Sequence, residues 1–149
     1  MKLPLEIPNE AQFATRFALA CQSMGARYTQ IPDVHKAAYA IAKKHKTRVP
    51  TYKRPCDGIF SCVQGMAYIE LKHQNGKLKP HQIEHLRAER ELHGNAYVLR
   101  AKETKRKGLV FTIEIETGEV IFESDRLDKI VFQLFETLYT KRTWGREEK

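Results

Sequence analysis

The sequence predicts a single mixed α/β domain, an α+β arrangement in which helices flank a mixed sheet. Two observations lead to this fold class. First, segments with apolar residues at helical spacing are interspersed with short segments in which apolar and polar residues alternate, as in strands. Second, a chain of 149 residues suffices for one hydrophobic core but not comfortably for two. We expect one domain over 1–149, with a basic helical insertion at about 33–54 and a C-terminal helix at about 125–141.

The first helix is predicted to begin after Asn9, because asparagine caps helix N-termini and Gln12 follows three positions later. Gly25 favours the end of this helix. Its apolar stripe, expected to enter the core, is Phe13, Phe17, Ala20, Cys21 and Met24. A short strand within 26–32 and a basic helix over 34–46 are predicted next.

In the second half, strands at 56–62 and 66–72 precede a helix that Pro80 opens and Gly94 ends. The remaining predicted strands are 95–100, 109–116 and 119–122, the last two joined by a tight Thr117-Gly118 turn. Ser124 or Asp125 caps the final helix. The apolar face of that helix, expected to pack, is Leu127, Ile130, Val131, Leu134, Phe135, Leu138 and Tyr139.

Charge favours a polyanionic partner. Lys and Arg number 26 against 18 Asp and Glu, a net charge of +8, and the basic residues concentrate in 35–54 and 100–108. Such segments attract nucleic acid because each neutralised phosphate releases counterions. The nucleic-acid-binding residues we predict are Lys43, Lys44, Lys46, Arg48, Lys53, Arg54, Lys77 and Lys79. A basic surface that only aids solubility is the open alternative, and a membrane surface is less favoured.

The compartment is expected to be cytoplasmic. No apolar run reaches membrane-spanning length, and the N-terminus carries an acid and two prolines where a secretory signal needs apolar residues. The irregular spacing of Cys21, Cys56 and Cys62 argues against a disulfide framework. We therefore expect an intracellular protein with reduced thiols.

The hairpin over 56–72 brings charged residues together. If 64–65 form a two-residue turn, Asp57 lies opposite Lys72. Strand alternation then puts Asp57, Glu70 and Lys72 on one face of the sheet. A three-residue turn would move Asp57 to the other face unless a bulge restored the parity.

This cluster suits phosphodiester hydrolysis. The carboxylates of Asp57 and Glu70 are hard oxygen ligands for Mg²⁺, and the backbone carbonyl of Leu71 can complete the coordination. Such a metal lowers the pKa of a bound water, which Lys72 can orient while it offsets negative charge in the transition state. Gln82 lies on the helix face that packs toward the sheet, so its amide can hold the water or a phosphate.

The pattern of Pro55 and Asp57, then Glu70-Leu71-Lys72, then Gln82 on the next helix resembles the PD-(D/E)xK nuclease superfamily. The run over 70–100 is similar to its VRR-NUC branch. The resemblance implies a restriction-endonuclease-like core and a Mg²⁺-dependent DNA endonuclease, with Mn²⁺ able to substitute. It makes Asp57 and Glu70 metal ligands, Lys72 the catalytic lysine and Gln82 the helix glutamine of the family.

Two residues qualify this resemblance. Glu10 matches a first-helix glutamate that many members bring to the metal, although the helix dipole alone favours an acid there. Cys56 separates Pro55 from Asp57, whereas the family motif has proline directly before aspartate. A Glu-x-Lys pair alone is also common on solvent-facing strands, so the evidence lies in the combination.

A zinc site is the rival metal hypothesis. Its candidate ligands are Cys56, Cys62, His81 and His85. The gap between the cysteines is wider than in common zinc knuckles, so we favour core thiols.

The substrate is expected to be DNA recognised by structure rather than by sequence, because phosphate contacts carry no base information. Small stand-alone members of the superfamily resemble Holliday junction resolvases, which act as dimers, and mobile-element or phage proteins. We expect branched or junction DNA as substrate and weakly favour a homodimer, with the C-terminal helix as core or two-fold interface. The alternative is a non-catalytic nucleic-acid-binding module that retains the fold.

Overall fold

The computed structural model describes residues 5–32, 41–46 and 56–147. The helices are α1 Glu10–Ser23, α2 Pro80–His93 and α3 Leu127–Glu147, and the strands are β1 Arg27–Gln30, β2 Gly58–Cys62, β3 Gly65–His73, β4 Ala96–Thr104, β5 Gly108–Glu114 and β6 Val120–Ser124. Residues 41–45 are also helical. Pro55 and most of the predicted insertion, 33–40 and 47–54, lie outside the described residues.

The strands form a six-stranded sheet in sequence order, β1 to β6. All neighbours are antiparallel except β3 and β4, which are parallel. Parallel neighbours need a crossover connection, and α2 supplies it. The predicted fold class, a mixed sheet flanked by helices, is therefore confirmed.

One face of the sheet packs against α1 and α3 and holds the main hydrophobic core. Ile69 and Leu71 of β3 and Leu99 of β4 point to this face and are buried. The ring of Phe60 lies 5.9 Å from that of Phe135 on α3, in an edge-to-face arrangement. Alternation along the central strands therefore builds most of the core on this side.

Local sequence signals set the helix ends. The Asn9 side chain accepts a hydrogen bond of 2.9 Å from the amide of Gln12, as the capping prediction requires. Pro80 is the first residue of α2. Gly94 ends α2 with φ +78°, a left-handed conformation that glycine adopts without strain. None of the helices in the described ranges combines the length and apolar character that a bilayer crossing demands.

The structure corrects the predicted hairpin register. Cys62 pairs with Gly65 and Gly58 with Ile69, so the turn is Val63-Gln64 and the partners are shifted by two residues. Continued by one residue, this register sets Asp57 opposite Glu70 rather than Lys72. Because the shift is even, the predicted face is kept.

The packing prediction for α3 also needs a correction. Ile130, Val131, Leu134 and Leu138 are buried as expected, but Tyr139 is 50 % exposed. The helix runs to Glu147 rather than ending near 141. The angular width of an apolar helix face is therefore narrower here than the sequence pattern indicates.

Candidate active site

Glu70 and Lys72 are charged residues inside the fold. They alternate with the core residues of β3, so they face α2 instead of the main core. Only 2 % of Glu70 and 7 % of Lys72 is exposed, and the Lys72 Nζ lies 3.9 Å from the Glu70 Oε1. A buried ion pair of this kind contributes little to stability, because desolvation offsets the attraction.

Gln82, in the first turn of α2, fixes the position of the Glu70 carboxylate. Its Nε2 donates a hydrogen bond of 2.8 Å to the Glu70 Oε1. Its Oε1 accepts a bond of 2.9 Å from the backbone amide of Lys79, just before the helix. Both ends of the amide therefore have a protein partner, and Gln82 orients the Glu70 carboxylate. The predicted contact of Gln82 with water or a phosphate stays a prediction.

Asp57 lies beside the same strand. Its Oδ2 accepts a hydrogen bond of 2.6 Å from the backbone amide of Leu71. The backbone amides of Tyr68 and Gln74 donate hydrogen bonds on the β4 side of the strand. Because backbone groups alternate along a strand, the N–H and C=O groups of the odd-numbered residues of β3 point toward β2. The Leu71 carbonyl therefore lies on the same side of β3 as Asp57. A backbone oxygen that completed a metal site with the Asp57 carboxylate would need this position.

The neighbouring strand β1 holds Asp57 in place. The backbone amide of Ile31 donates a hydrogen bond of 2.9 Å to the Asp57 carbonyl. A Cβ atom at Gly58 would lie 2.6 Å from the carbonyl oxygen of Thr29 and from the ring of Tyr28. Glycine at 58 therefore allows β1 to pack closely against the residue that follows Asp57.

The thiol of Cys56 adjoins this acidic cluster. It donates to the carbonyl of Gly58 at 3.3 Å. Burial raises its pKa from 9.0 to about 11, and the negative charges of Glu70 and Asp57 act in the same direction. Cys56 is thus a buried neutral thiol next to the site, and its position directly before Asp57 leaves the Asp57 carboxylate in contact with β3.

The predicted zinc ligands lie on different sides of the sheet. Cys62 packs against the main core on the α1 and α3 face, whereas His81 and His85 belong to α2 on the opposite face. Within the described ranges, no group of three or more His, Cys, Asp or Glu side chains is arranged to hold a metal ion.

Glu10 is exposed in the first turn of α1 and does not form such a group with Asp57 and Glu70. Among the predicted nucleic-acid-binding residues, Lys43, Lys44, Lys46, Lys77 and Lys79 are exposed. Lys77 and Lys79 lie on the loop between β3 and α2, close in sequence to the site residues. Arg48, Lys53 and Arg54 lie outside the described residues.

Arg100 organises the β3–α2 loop and was missing from the predicted site. On β4 it pairs in register with Lys72. Its Nε lies 2.9 Å from the Glu114 Oε2 on β5, and its Nη1 donates to the carbonyls of Gln74 and Gly76 at 2.8 and 2.7 Å. The available sequence signals were a basic residue at the end of a predicted strand and a glutamate on the next strand.

No protein-family model matches the chain, and no curated protein matches it. Among solved structures, Hjc of Archaeoglobus fulgidus, a Holliday junction resolvase from an archaeal hyperthermophile, is similar to this chain at 15% sequence identity and a TM-score of 0.47. The match covers 83% of this chain and 98% of that one.

Proposed function

We propose that this chain is a metal-dependent DNA endonuclease that hydrolyses phosphodiester bonds and selects branched or junction DNA. The observation that carries the proposal is the grouping of charged and polar side chains around β3. Lys72 and Gln82 contact the Glu70 carboxylate, and Asp57 contacts the backbone amide of Leu71, which lies between Glu70 and Lys72 in the sequence. A buried carboxylate and a buried ammonium contribute little to stability. Their placement is more readily explained by chemistry than by folding.

The donor set fits a magnesium ion. Asp57 and Glu70 supply carboxylate oxygens, and Leu71 supplies a backbone carbonyl on the same side of β3. Mg²⁺ is commonly held by one or two carboxylates together with water and substrate phosphates, so a third acidic ligand such as Glu10 is not required. When bound, the ion would supply charge stabilisation on the phosphodiester and a more acidic water.

The other polar residues around the site have distinct roles in the proposed hydrolysis. Lys72, beside the Glu70 carboxylate, can orient the attacking water and offset the negative charge that develops on the phosphate. Gln82 keeps the Glu70 carboxylate in one orientation through its two hydrogen bonds. The exposed lysines Lys77 and Lys79 can hold phosphates near the site.

A non-catalytic DNA-binding module is the second candidate, and a specific observation favours it. Glu70 and Lys72 are almost fully buried, so a substrate phosphate can reach them only if the residues that cover them move. Such a module would show affinity that falls steeply with salt and would not turn over substrate.

Cleavage of a four-way junction, a 5′ flap, a single strand and a plain duplex, each with Mg²⁺, Mn²⁺ or EDTA, separates the two candidates. We expect metal-dependent cleavage of the branched substrates, reduced about 100-fold or more by Glu70→Gln and by Lys72→Met. Glu91→Gln and Lys129→Met remove matching charges at exposed positions and should leave cleavage unchanged. If every DNA survives while all variants bind alike, the binding module is the correct function.

The assembly that this function implies is a homodimer, which would let two sites cut symmetrically placed strands. Analytical ultracentrifugation with and without a four-way junction tests it. A complex containing two chains per junction supports the dimer, and one chain per junction contradicts it.

A further inference from the structure

A large cavity adjoins the candidate active site on the α2 side of the sheet. Its volume is about 880 Å³, and it lies between loop 74–78 and the strands β4 to β6. A Cβ atom at Gly76, in its wall, would lie 3.7 Å from the Cδ of Lys72, and the wall residue Ile83 follows Gln82. The cavity and the candidate site therefore share a boundary.

Four exposed cations line this cavity, which we call the basic cavity: Lys77, Lys102, Arg106 and Lys107. None of these side chains is in an ion pair among the described residues. The buried acids in the wall differ, because Glu114 pairs with Arg100 and Glu116 with Arg90. Exposed Glu123 on β6 also lines the cavity, but the uncompensated charge is predominantly positive.

The wall between these charges is partly aliphatic: Leu78, Ile83, Val110 and Val120 line it together with uncharged polar residues such as Thr104 and Thr112. A DNA duplex stacks its bases inside and presents phosphates outward, so it can use the cations but not an aliphatic wall. Unpaired nucleotides offer phosphates and base faces together. The volume is within the range of about 300–1,000 Å³ that is typical of ligand pockets and suits a few nucleotides.

We propose that the basic cavity binds the unpaired nucleotides of a branched DNA substrate, with phosphates on its four cations and bases against the aliphatic wall. The inference rests on the proposed function, since it places an unpaired strand beside Lys72. For a flap or an overhang, it also assigns a physical basis to structure selection, because these substrates carry unpaired nucleotides next to a duplex.

The test compares two triple variants that lose the same charge. Lys102→Gln/Arg106→Gln/Lys107→Gln alters the cavity. The control is Arg27→Gln/Lys105→Gln/Lys129→Gln, whose three positions are exposed and are not part of the cavity wall. Lys105 lies in the β4–β5 turn that also holds Arg106 and Lys107. Fluorescence anisotropy in EDTA measures the affinity for a 12-nucleotide single strand, a blunt duplex and a duplex with a five-nucleotide overhang, across a range of NaCl concentrations.

We expect the cavity variant to bind the single strand and the overhang at least 10-fold more weakly than the control variant. Its salt dependence for the single strand should fall by about 2 in log–log slope, since each lost phosphate contact contributes about 0.7. Affinity for the blunt duplex should differ less than two-fold between the variants. Equal losses in both variants, an equal loss for blunt duplex and single strand, or no binding of unpaired DNA by the wild type would each overturn the proposal.

Cleavage assays on the same proteins keep this inference separate from the proposed function. If the wild type cleaves DNA but the cavity variant binds as the control does, only the basic cavity proposal fails. If the wild type cleaves nothing in Mg²⁺ or Mn²⁺ while the cavity variant alone loses unpaired DNA, the cavity binds DNA and the nuclease proposal fails.

Discussion

The two faces of the central sheet use the same strands and differ in what their side chains do. Toward α1 and α3, β3 and β4 present Ile69, Leu71, Leu99 and Ala101, all buried in one apolar core. Toward α2, the same strands contribute only a small apolar cluster around Leu86. Beyond it, this face carries ion pairs and the basic cavity.

Under the proposed function, stability and catalysis depend on separate sides of the fold. Burial of apolar area on the α1 and α3 face supplies the larger part of the hydrophobic stabilisation. On the α2 face, the buried charges of Glu70, Lys72 and Glu114 gain little net free energy from their pairing. Substitutions on the first face should therefore change unfolding, and those on the second should change DNA chemistry.

Phe60→Ala should give the largest effect. Phe60 is fully buried on β2 and contacts the rings of Phe17 and Phe135, so its truncation should lower the free energy of unfolding by about 3–5 kcal/mol. Urea denaturation measures this change. Val63→Ala, at a turn position that is 79 % exposed, is the control and should change stability by less than about 0.5 kcal/mol. Equal effects would mean that this face is not the main core.

Alkaline pH should weaken the same core through Cys21. Burial raises the pKa of its thiol from 9.0 to about 12, so above pH 9 the unfolded chain loses this proton while the folded protein keeps it. The stabilisation is complete below pH 9 and is lost as pH rises toward 12. The loss for this one thiol should be roughly 3 kcal/mol at pH 11.

Cys21→Ala isolates that contribution, because alanine does not titrate. Unfolding free energies of both proteins should be measured from pH 7 to pH 11. The difference between them should shrink above pH 9. A constant difference over the whole range would show that the Cys21 thiol ionises equally in both states.

Gln82→Ala should affect the other face. Loss of the amide that orients Glu70 should reduce metal-dependent cleavage about 10–100-fold, the usual effect of removing a residue that positions a metal ligand. Initial rates across a Mg²⁺ titration should show a higher metal requirement. Glu84→Gln, exposed on the same helix, should behave as wild type, and a Gln82→Ala protein with unchanged metal dependence would contradict the positioning role.

Glu70→Leu with Lys72→Met should cost the least stability. Replacing both members of a buried ion pair by apolar residues of similar size is often neutral or stabilising by about 1–4 kcal/mol. The Gln82 amide loses the Glu70 carboxylate as a partner in this variant, but it is only half-buried and can form a hydrogen bond with water instead. Lys72→Met alone leaves the buried negative charge of Glu70 without its nearby ammonium, so this single variant should lower the free energy of unfolding more than the double variant does. A double variant that loses more than the single one would show that the pair holds this face together.

Much of this architecture could be predicted from the sequence, because its signals are local. Asn9 and Pro80 mark helix starts through caps that need only neighbouring residues, and Gly94 marks a helix end. The shared face of Asp57, Glu70 and Lys72 also follows from strand alternation. The predicted hairpin register was wrong by two residues, because Val63-Gln64 and Gln64-Gly65 are similar candidates for the turn. The shift is even, so the predicted face of the sheet was still correct.

The remaining features depend on contacts between distant segments. The two hydrogen bonds of Gln82 require the relative position of β3 and α2, which no local pattern fixes. Arg100 reaches Glu114 and loop 74–76 across β4 and β5. The basic cavity likewise exists only after β4, β5 and β6 pair, although the basic run 100–108 was visible in the sequence.

The most direct measurement is the initial rate of four-way junction cleavage in Mg²⁺ by the wild type and by the folded double variant Glu70→Leu/Lys72→Met. The account predicts a measurable rate for the wild type, none in EDTA, and none for the double variant even though its unfolding free energy equals or exceeds that of the wild type. Equal cleavage by the two proteins, or no cleavage by either in any metal, would contradict it.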